Sequence, residues 1–221
     1  MQKVVGLLGV KGSGKDTCAQ YLIDMAGFRR IGFADALYQE AADAFGVTVA
    51  FLNNRNTKET PLPELALSRC KDPAFQACVA EEMGWAQTTP ELLAQPQSPR
   101  FVLQLWGTEY RRRRGVDSYW LDQVSAAIRA YPTDSFVVTD VRFLNEFNFI
   151  GQCGGLRVRI RRPELEAREA AERAKNGRAA HPSETELLGE VADAEIFNIE
   201  GQPESLRDGI LSAVGLQAVS T

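Results

Sequence analysis

Short apolar runs alternate with longer amphipathic stretches along the chain. Five runs are too short for helices and fit buried strands; they lie at 3–9, 29–33, 136–139, 156–160 and 194–199. The stretches that follow them fit helices, at 17–25, 35–45, 145–153, 161–178 and 203–214. Because buried strands that alternate with helices are typical of parallel sheets, the pattern predicts an α/β fold. Its five-stranded parallel sheet would be covered by helices on both faces.

Residues 47–99 interrupt this alternation. They hold six of the ten prolines, and only short helices are predicted, near 64–69 and 73–84. Two further helices are expected on either side of Gly115, at 100–113 and 117–131. We therefore expect a single domain over 1–221, with 47–99 as an insertion and 161–180 as a second excursion.

Composition excludes several classes of protein. The net charge is −4, so the chain lacks the general excess of basic residues that nucleic-acid-binding proteins often carry. The four cysteines form no CxxC pair and have no zinc-like spacing, which favours reduced thiols in a cytoplasmic protein. There is no apolar run of membrane-spanning length and no leader pattern at the N-terminus. We expect small-molecule partners, no nucleic acid polymer, no membrane, and a monomer or homodimer.

A glycine-rich loop follows the first predicted strand, with the sequence GVKGSGKDT over residues 9–17. Glycines between a strand and a helix let backbone N–H groups point at an anion, and Lys15 would reach the outer phosphates of a nucleoside triphosphate. Asp16 stands where Ser or Thr is usual, so Asp16 and Thr17 could contact magnesium through water. The alternative is a glycine turn that only joins strand to helix. The candidate nucleotide-binding residues are Lys11, Gly12, Ser13, Gly14, Lys15, Asp16 and Thr17.

Asp140 and Arg142 follow the strand at 136–139. Ligands bind at the carboxyl ends of parallel strands, so both side chains should lie beside the phosphate loop. Asp140 could hold magnesium through water or accept a hydrogen bond from a substrate, and Arg142 could hold a phosphate bidentately. The alternative is a surface pair that caps the next helix.

A local positive excess of four charges lies at 100–114, which contains five arginines and one acid. On an α-helix at most two of Arg111–Arg114 can face one ligand, and the others would be solvated. Arg100 and Arg111 are the first candidates for phosphate contacts. Trp120, on the following helix, could stack on a nucleotide base or pack in the core.

The excursion at 161–178 carries six basic and four acidic residues. Its arginines could close over a triphosphate and offset transition-state charge, or the segment could be an exposed, salt-bridged helix. His181 receives no catalytic role, because a phosphate acceptor is already ionised and needs no general base.

These motifs together resemble the deoxynucleoside monophosphate kinases of tailed bacteriophages, which belong to the adenylate-kinase-like branch of P-loop kinases. The matching segments are GVKGSGKDT (9–17), GFADAL (32–37), LQLWGTEYR (103–111), DSYW (117–120), VVTDVRFLNE (137–146), IRRPE (160–164), HPSE (181–184) and DAEIFNIEG (193–201). The resemblance implies a monophosphate-binding insertion at 47–99 and a lid at 161–180. Tyr38 departs from the family, in which Lys is frequent, and Arg55 or Lys58 could supply that cation.

The resemblance also implies ATP, Mg²⁺ and a set of site residues. Lys15, Arg142 and Arg162 would be catalytic, Asn198 would lie near the adenine of ATP, and Asp16, Thr17 and Asp140 would order the magnesium shell. The acceptor site would be lined by Asp35, Arg100, Gly107, Thr108, Arg111, Trp120, Asp140, Arg142 and Glu146.

The expected reaction is transfer of the γ-phosphoryl group of ATP to a deoxynucleoside monophosphate. Two alternatives stay open from the residues alone. One is a kinase of another small phosphorylated acceptor, similar to phosphomevalonate kinase. The other is a non-kinase nucleotide-binding ATPase module.

Overall fold

The computed structural model describes residues 2–113, 116, 118–176 and 185–216. Their central element is a five-stranded parallel sheet in the order β2-β3-β1-β4-β5. The strands are β1 (Val4–Leu8), β2 (Arg29–Ile31), β3 (Phe136–Val138), β4 (Leu156–Arg161) and β5 (Ala194–Phe197). All five lie within the runs that the hydrophobic pattern marks, except that β4 extends one residue further, so the predicted sheet is confirmed.

Helices cover the sheet and form most of the remaining structure. The α-helices are α1 (Lys15–Ala26), α2 (Phe33–Phe45), α3 (Val49–Leu52), α4 (Pro73–Glu82), α5 (Pro90–Leu93), α6 (Pro99–Gln104), α7 (Tyr119–Ala130), α8 (Leu144–Gln152), α9 (Pro163–Asn176) and α10 (Pro203–Ala213). Two short 3₁₀ helices span Pro63–Leu65 and Leu67–Arg69. A π-helix spans Leu105–Arg113.

The two faces of β1 carry different helices. Val5 and Leu7 point to one face, where they share a buried core with Leu22 of α1 and Ile210 of α10. Gly6 points to the opposite face because side chains alternate along a strand. A Cβ atom at Gly6 would lie 2.8 Å from Cγ1 of Ile150 in α8. The predicted coverage of both faces is therefore confirmed.

The chain divides into two compact units. The first, Met1–Phe33 with Val124–Thr221, contains the whole sheet. The second is Ala34–Gln123 and includes all of the 47–99 segment. Its core is aromatic: the Phe75 ring lies 4.5 Å from Trp106 and 5.6 Å from Tyr110, centroid to centroid. Phe75 and Trp106 are almost completely buried.

Two local predictions are wrong. The α-helix expected over 100–113 changes to a π-helix after Gln104, so its residues do not follow the three-and-four spacing assumed for the arginine run. The helix expected to begin at Asp35 as its N-cap begins instead at Phe33, and Asp35 lies exposed in its first turn.

None of the four cysteines, all of which lie among the described residues, forms a disulfide, and Cys18, Cys70 and Cys78 are buried. Among the described residues, no helix has the length and apolar character needed to cross a lipid bilayer.

Candidate functional site

The glycine-rich loop between β1 and α1 has the backbone that an anion cradle requires. Gly9, Gly12 and Gly14 have φ values of 141°, 79° and 111°, which side-chain-bearing residues rarely adopt. Gly14 is also the N-cap of α1, and as a glycine it has no side chain that could cap this helix end. The first N–H groups of α1 are therefore left for an anion, and the helix dipole favours negative charge there.

Lys15 is held on the rim of this loop. Its Nζ donates hydrogen bonds to the carbonyl oxygens of Gly9 at 2.8 Å and Val10 at 2.9 Å. Burial, reinforced by the positive charge of Arg142, lowers the pKa of Lys15 to about 8. A phosphate would reverse this balance, because an opposite charge favours the protonated amine.

Asn198 forms a hydrogen bond to the backbone of the loop. It follows β5, and its Nδ2 donates to the Ser13 carbonyl oxygen at 2.8 Å. A Cβ atom at Gly14 would lie 2.7 Å from the same Nδ2. The Ser13 side chain is fully buried, and its Oγ has no hydrogen-bond partner among the described residues. The structure thus gives Asn198 a contact with the phosphate loop, which the sequence did not indicate.

Asp140 caps a helix, but not the helix that the sequence suggested. It follows β3, and its Oδ1 accepts the backbone N–H of Phe33, the first residue of α2, at 2.9 Å. The sequence offered Asp35 as the cap of α2 and left open a cap of α8 by the Asp140–Arg142 pair. The carboxylate that caps α2 therefore lies at the end of β3 and not within α2 itself.

Glu146 is 2 % exposed and serves the backbone of the turn that carries Arg142. Its Oε2 accepts the N–H groups of Arg142 at 2.8 Å and Phe143 at 3.1 Å. Burial and these bonds favour a positioning role for Glu146 over the direct substrate contact expected from the sequence. The Arg142 side chain itself is exposed.

The oxygen donors expected to order magnesium lie in the first unit. Asp16 and Thr17 are exposed in the first turn of α1, and Asp140 follows β3. Carboxylate and hydroxyl oxygens suit a hard cation that keeps much of its water. Within the described ranges, no three His, Cys, Asp or Glu side chains group into a protein-only metal site. The exposed oxygens of Asp16 and Thr17 fit a Mg²⁺ ion that keeps much of its water shell.

Helix α9 contacts the loop through an apolar side chain. A Cβ atom at Gly12 would lie 3.4 Å from Cδ2 of Leu165. Arg162, just before α9, has its Nη2 3.9 Å from Glu200. Arg161 makes ion pairs with Glu166 at 2.9 Å and Glu195 at 3.3 Å, so part of this segment fits the salt-bridged alternative. Arg178, His181 and the rest of 177–184 lie outside the described residues.

In the second unit, several of the candidate acceptor residues are bonded to other parts of the protein. Arg100 is exposed, and its Nε donates to Glu59. Trp120 is 3 % exposed, and its Nε1 donates to the Gly107 carbonyl oxygen at 3.2 Å. Of the two roles considered for Trp120, core packing fits this burial. Thr108 lies between Gly107 and Glu109 in the π-helix and is half-buried.

Arg111, in the arginine run, forms an ion pair with a carboxylate of helix α2. Its Nε donates to Oε2 of Glu40 at 2.8 Å, and the same oxygen accepts the Trp106 Nε1 at 3.0 Å. Glu40 is not among the residues that the sequence motifs indicate. The one available signal is its place on α2, three residues after the apolar Leu37 and directly before the buried Ala41.

One of the two cations expected to replace the family lysine at position 38 lies beside Tyr38. Lys58 Nζ donates to the hydroxyl of Tyr38 at 2.9 Å. Of the two candidates, Lys58 therefore reaches Tyr38.

Two curated relatives match most of the chain. Deoxynucleoside-5'-monophosphate kinase of Escherichia phage T5 is 32 % identical over 186 residues, which cover 71 % of this chain and 74 % of the relative. A protein of Acanthamoeba polyphaga mimivirus, provisionally described as a deoxynucleotide monophosphate kinase, is 28 % identical over 83 % of this chain and 81 % of its own length. No protein-family model matches the chain.

Among solved structures, dephospho-CoA kinase from Campylobacter jejuni aligns with a TM-score of 0.45 and 16 % identity. The alignment covers 97 % of this chain and 96 % of that protein.

Proposed function

The chain belongs to the deoxynucleoside monophosphate kinase family and is a phosphotransferase; from this premise we propose that it transfers the γ-phosphoryl group of ATP to a deoxynucleoside monophosphate. The products are ADP and a deoxynucleoside diphosphate. The observation that carries the proposal is the phosphate loop: α1 begins directly after Gly14, and the Lys15 ammonium lies on the Gly9 and Val10 carbonyl oxygens of the same loop.

The first unit provides the ATP site in this proposal. The N–H groups of residues 11, 12 and 14–17 hold the phosphate oxygens, because the Ser13 N–H already donates to the Val10 carbonyl oxygen. The Lys15 ammonium turns from the Gly9 and Val10 carbonyls toward the outer phosphates. Asn198 keeps the loop in shape through the Ser13 carbonyl. Arg142, exposed on a turn fixed by Glu146, and Arg162 offset the charge of the transferred group.

Asp16, Thr17 and Asp140 are the residues that would hold Mg²⁺, through water. The ion would neutralise phosphate charge as the phosphoryl group moves. Asp140 also fixes the start of α2, so its carboxylate has a defined orientation before any ligand binds.

The second unit provides contacts to the acceptor. Arg111 holds the monophosphate. Further polar contacts come from Arg100, Thr108 and Lys58. Gly107 and Trp120 are bonded to each other and belong to the packed interior of this unit. A phosphate oxygen of the acceptor attacks the γ-phosphorus, and the bond to the oxygen that bridges to the β-phosphate breaks. The attacking oxygen is already ionised, so catalysis consists of positioning and charge stabilisation.

A coupled assay of ADP release tests the proposal. ATP is supplied with each of the common deoxynucleoside monophosphates, and in parallel with phosphomevalonate or single-stranded DNA. We expect turnover with at least one deoxynucleoside monophosphate and none with the other two. Turnover with phosphomevalonate alone, or ATP hydrolysis that depends on DNA alone, would replace this proposal with one of the two alternatives. Lys15→Ala should remove transfer and leave the circular dichroism spectrum unchanged.

A further inference from the structure

Glu40 is a half-buried carboxylate of α2 that accepts hydrogen bonds from three side chains. Oε2 accepts from Trp106 Nε1 at 3.0 Å and from Arg111 Nε at 2.8 Å, and Oε1 accepts from the hydroxyl of Tyr119. The three donors come from the π-helix and from α7. A carboxylate with its oxygens satisfied this way has one orientation, and it fixes what it binds.

The π-helix brings two of those donors to one side. Trp106 and Arg111 are five residues apart, and the i→i+5 hydrogen bonding of a π-helix places such residues near each other. In an α-helix the neighbours of Trp106 would be three and four residues away, so Arg111 would point elsewhere. Short π-helical segments occur frequently at functional sites.

Aromatic rings surround the Arg111 guanidinium. Its central carbon lies 4.6 Å from the ring centroid of Tyr110, 5.2 Å from Tyr119 and 5.7 Å from Trp106. Two of these rings have further contacts: the hydroxyl of Tyr110 donates a hydrogen bond to Asp72 at 2.8 Å, and Trp106 packs against the buried Phe75 with the ring planes 40° apart. We call Trp106, Tyr110 and Tyr119 the aromatic cage. Cation–π attraction then holds the guanidinium in the cage.

The charge state of Arg111 is secure in this setting. Burial disfavours the charged guanidinium, but the hydrogen bond and the negative charge of Glu40 outweigh burial and raise the pKa of Arg111. Only Nε of the guanidinium is used by Glu40. The terminal nitrogens form the edge that matches two oxygens of one phosphate.

From these contacts we infer that Glu40 is a positioning residue, which orients Arg111 in the aromatic cage so that its terminal N–H groups grip the acceptor's phosphate. The inference rests on the proposed function and adds a residue that acts through Arg111. A pre-oriented arginine loses less side-chain entropy on binding, so the effect appears in affinity for the monophosphate.

The test measures KM and kcat for the best monophosphate and KM for ATP in Glu40→Gln, Arg111→Lys and the double variant. Glutamine keeps the size of the side chain, but it replaces one carboxylate oxygen by an NH₂ group, which cannot accept a hydrogen bond from the donor it faces. We expect each single variant to raise the KM for the monophosphate about tenfold, the usual loss for a hydrogen bond to a charged group. The KM for ATP should stay within about twofold, and the double variant should be no worse than Arg111→Lys alone.

Asp43→Asn is the matched control, because Asp43 is an exposed carboxylate on the same helix, bonded to Gln39. It should behave like the wild-type enzyme. Tyr119→Phe removes one donor to Glu40 and leaves the Glu40–Arg111 pair, and it should raise the same KM by a smaller factor. This second variant keeps the test decisive if Glu40→Gln does not fold.

The outcomes separate the two proposals. If the wild-type enzyme phosphorylates no monophosphate, the proposed function and this inference both fall. If the wild-type enzyme is active and Glu40→Gln and Tyr119→Phe leave the KM for the monophosphate unchanged, the inference falls and the function stands. Additive effects in the double variant, or an equal rise in the KM for ATP, would also overturn the positioning role.

Discussion

The Asp140 carboxylate accepts the backbone N–H of Phe33 at 2.9 Å, so a residue expected to order magnesium also fixes the start of helix α2. These two roles have different chemical requirements. A helix cap needs a side-chain oxygen and is supplied almost equally well by Asn or Asp, whereas a cation requires negative charge.

Substitutions of Asp140 should separate these roles. Asp140→Asn should change the free energy of unfolding by less than about 0.5 kcal/mol, and Asp140→Ala should lower it by about 1 kcal/mol, the usual value of a cap. Both should lower kcat, because both remove the charge. Urea unfolding and steady-state rates check this, with Asp208→Asn as control, because Asp208 is a half-buried carboxylate that pairs with Arg207. Full activity of Asp140→Asn would remove Asp140 from the proposed magnesium shell.

ATP affinity should decline as pH rises above about 8. The pKa of Lys15 lies near 8 without phosphate, and only the protonated amine neutralises phosphate charge. Binding should therefore take up a proton near pH 8, and above it affinity should fall by up to about tenfold per pH unit. Calorimetry in buffers of different ionisation enthalpy measures the uptake, and Lys15→Met should abolish it.

The same pKa has a consequence for stability. Unfolded Lys15 keeps its proton up to about 10.5, whereas the folded residue loses it near 8. The unfolded state thus binds more protons between these values, and this residue makes the free energy of unfolding rise with pH in that window. Lys15→Met should flatten this contribution in urea titrations. A pH dependence that is identical in both proteins would contradict the low pKa.

Removing the amide of Asn198 should weaken ATP binding selectively. Asn198→Ala leaves the Ser13 carbonyl without its donor, and we expect the KM for ATP to rise about tenfold. The KM for the monophosphate should stay close to that of the wild-type enzyme. Asn148, exposed on α8, provides the matched Asn→Ala control. An unchanged KM for ATP would mean that the loop keeps its shape without this bond.

Trp120→Phe should affect stability and leave the choice of base unchanged. The substitution keeps an aromatic ring but removes the N–H bonded to the Gly107 carbonyl oxygen, at a cost of about 1 kcal/mol. Thermal unfolding and the ranking of the monophosphates measure the two effects. Trp85→Phe is the control, because Trp85 is half-buried and takes no part in the hydrogen bond between Trp120 and Gly107. An altered ranking would favour base stacking by Trp120 instead.

The strands and the phosphate loop could be predicted because their signals are local. An apolar run such as 136–139 and a glycine spacing such as 9–17 are complete within a few residues. The contact of Asn198 with Ser13 joins residues far apart in sequence, and nothing in either segment identifies its partner.

The π-helix and Glu40 were missed for other physical reasons. Helical periodicity in sequence reports apolar positions, and Leu105–Arg113 is too polar to reveal whether its turns are α or π. From the sequence alone, an acidic residue on a half-buried helix face cannot be told from one that faces solvent, because its partners lie far away along the chain. The motif points to Glu146 as a site residue, but its burial and its bonds to backbone N–H groups could not be read from the motif.

Gly6 has no side chain to contribute, yet its position on β1 constrains much of the first unit. An added methyl group would lie 2.8 Å from Ile150 and 3.1 Å from Val141, one on α8 and the other in the turn between Asp140 and Arg142. Any larger residue must displace these two side chains, which pack against the strand that leads into the phosphate loop. Among active variants in a mutational library, Gly6 should therefore be as intolerant of substitution as Lys15, although it touches no substrate.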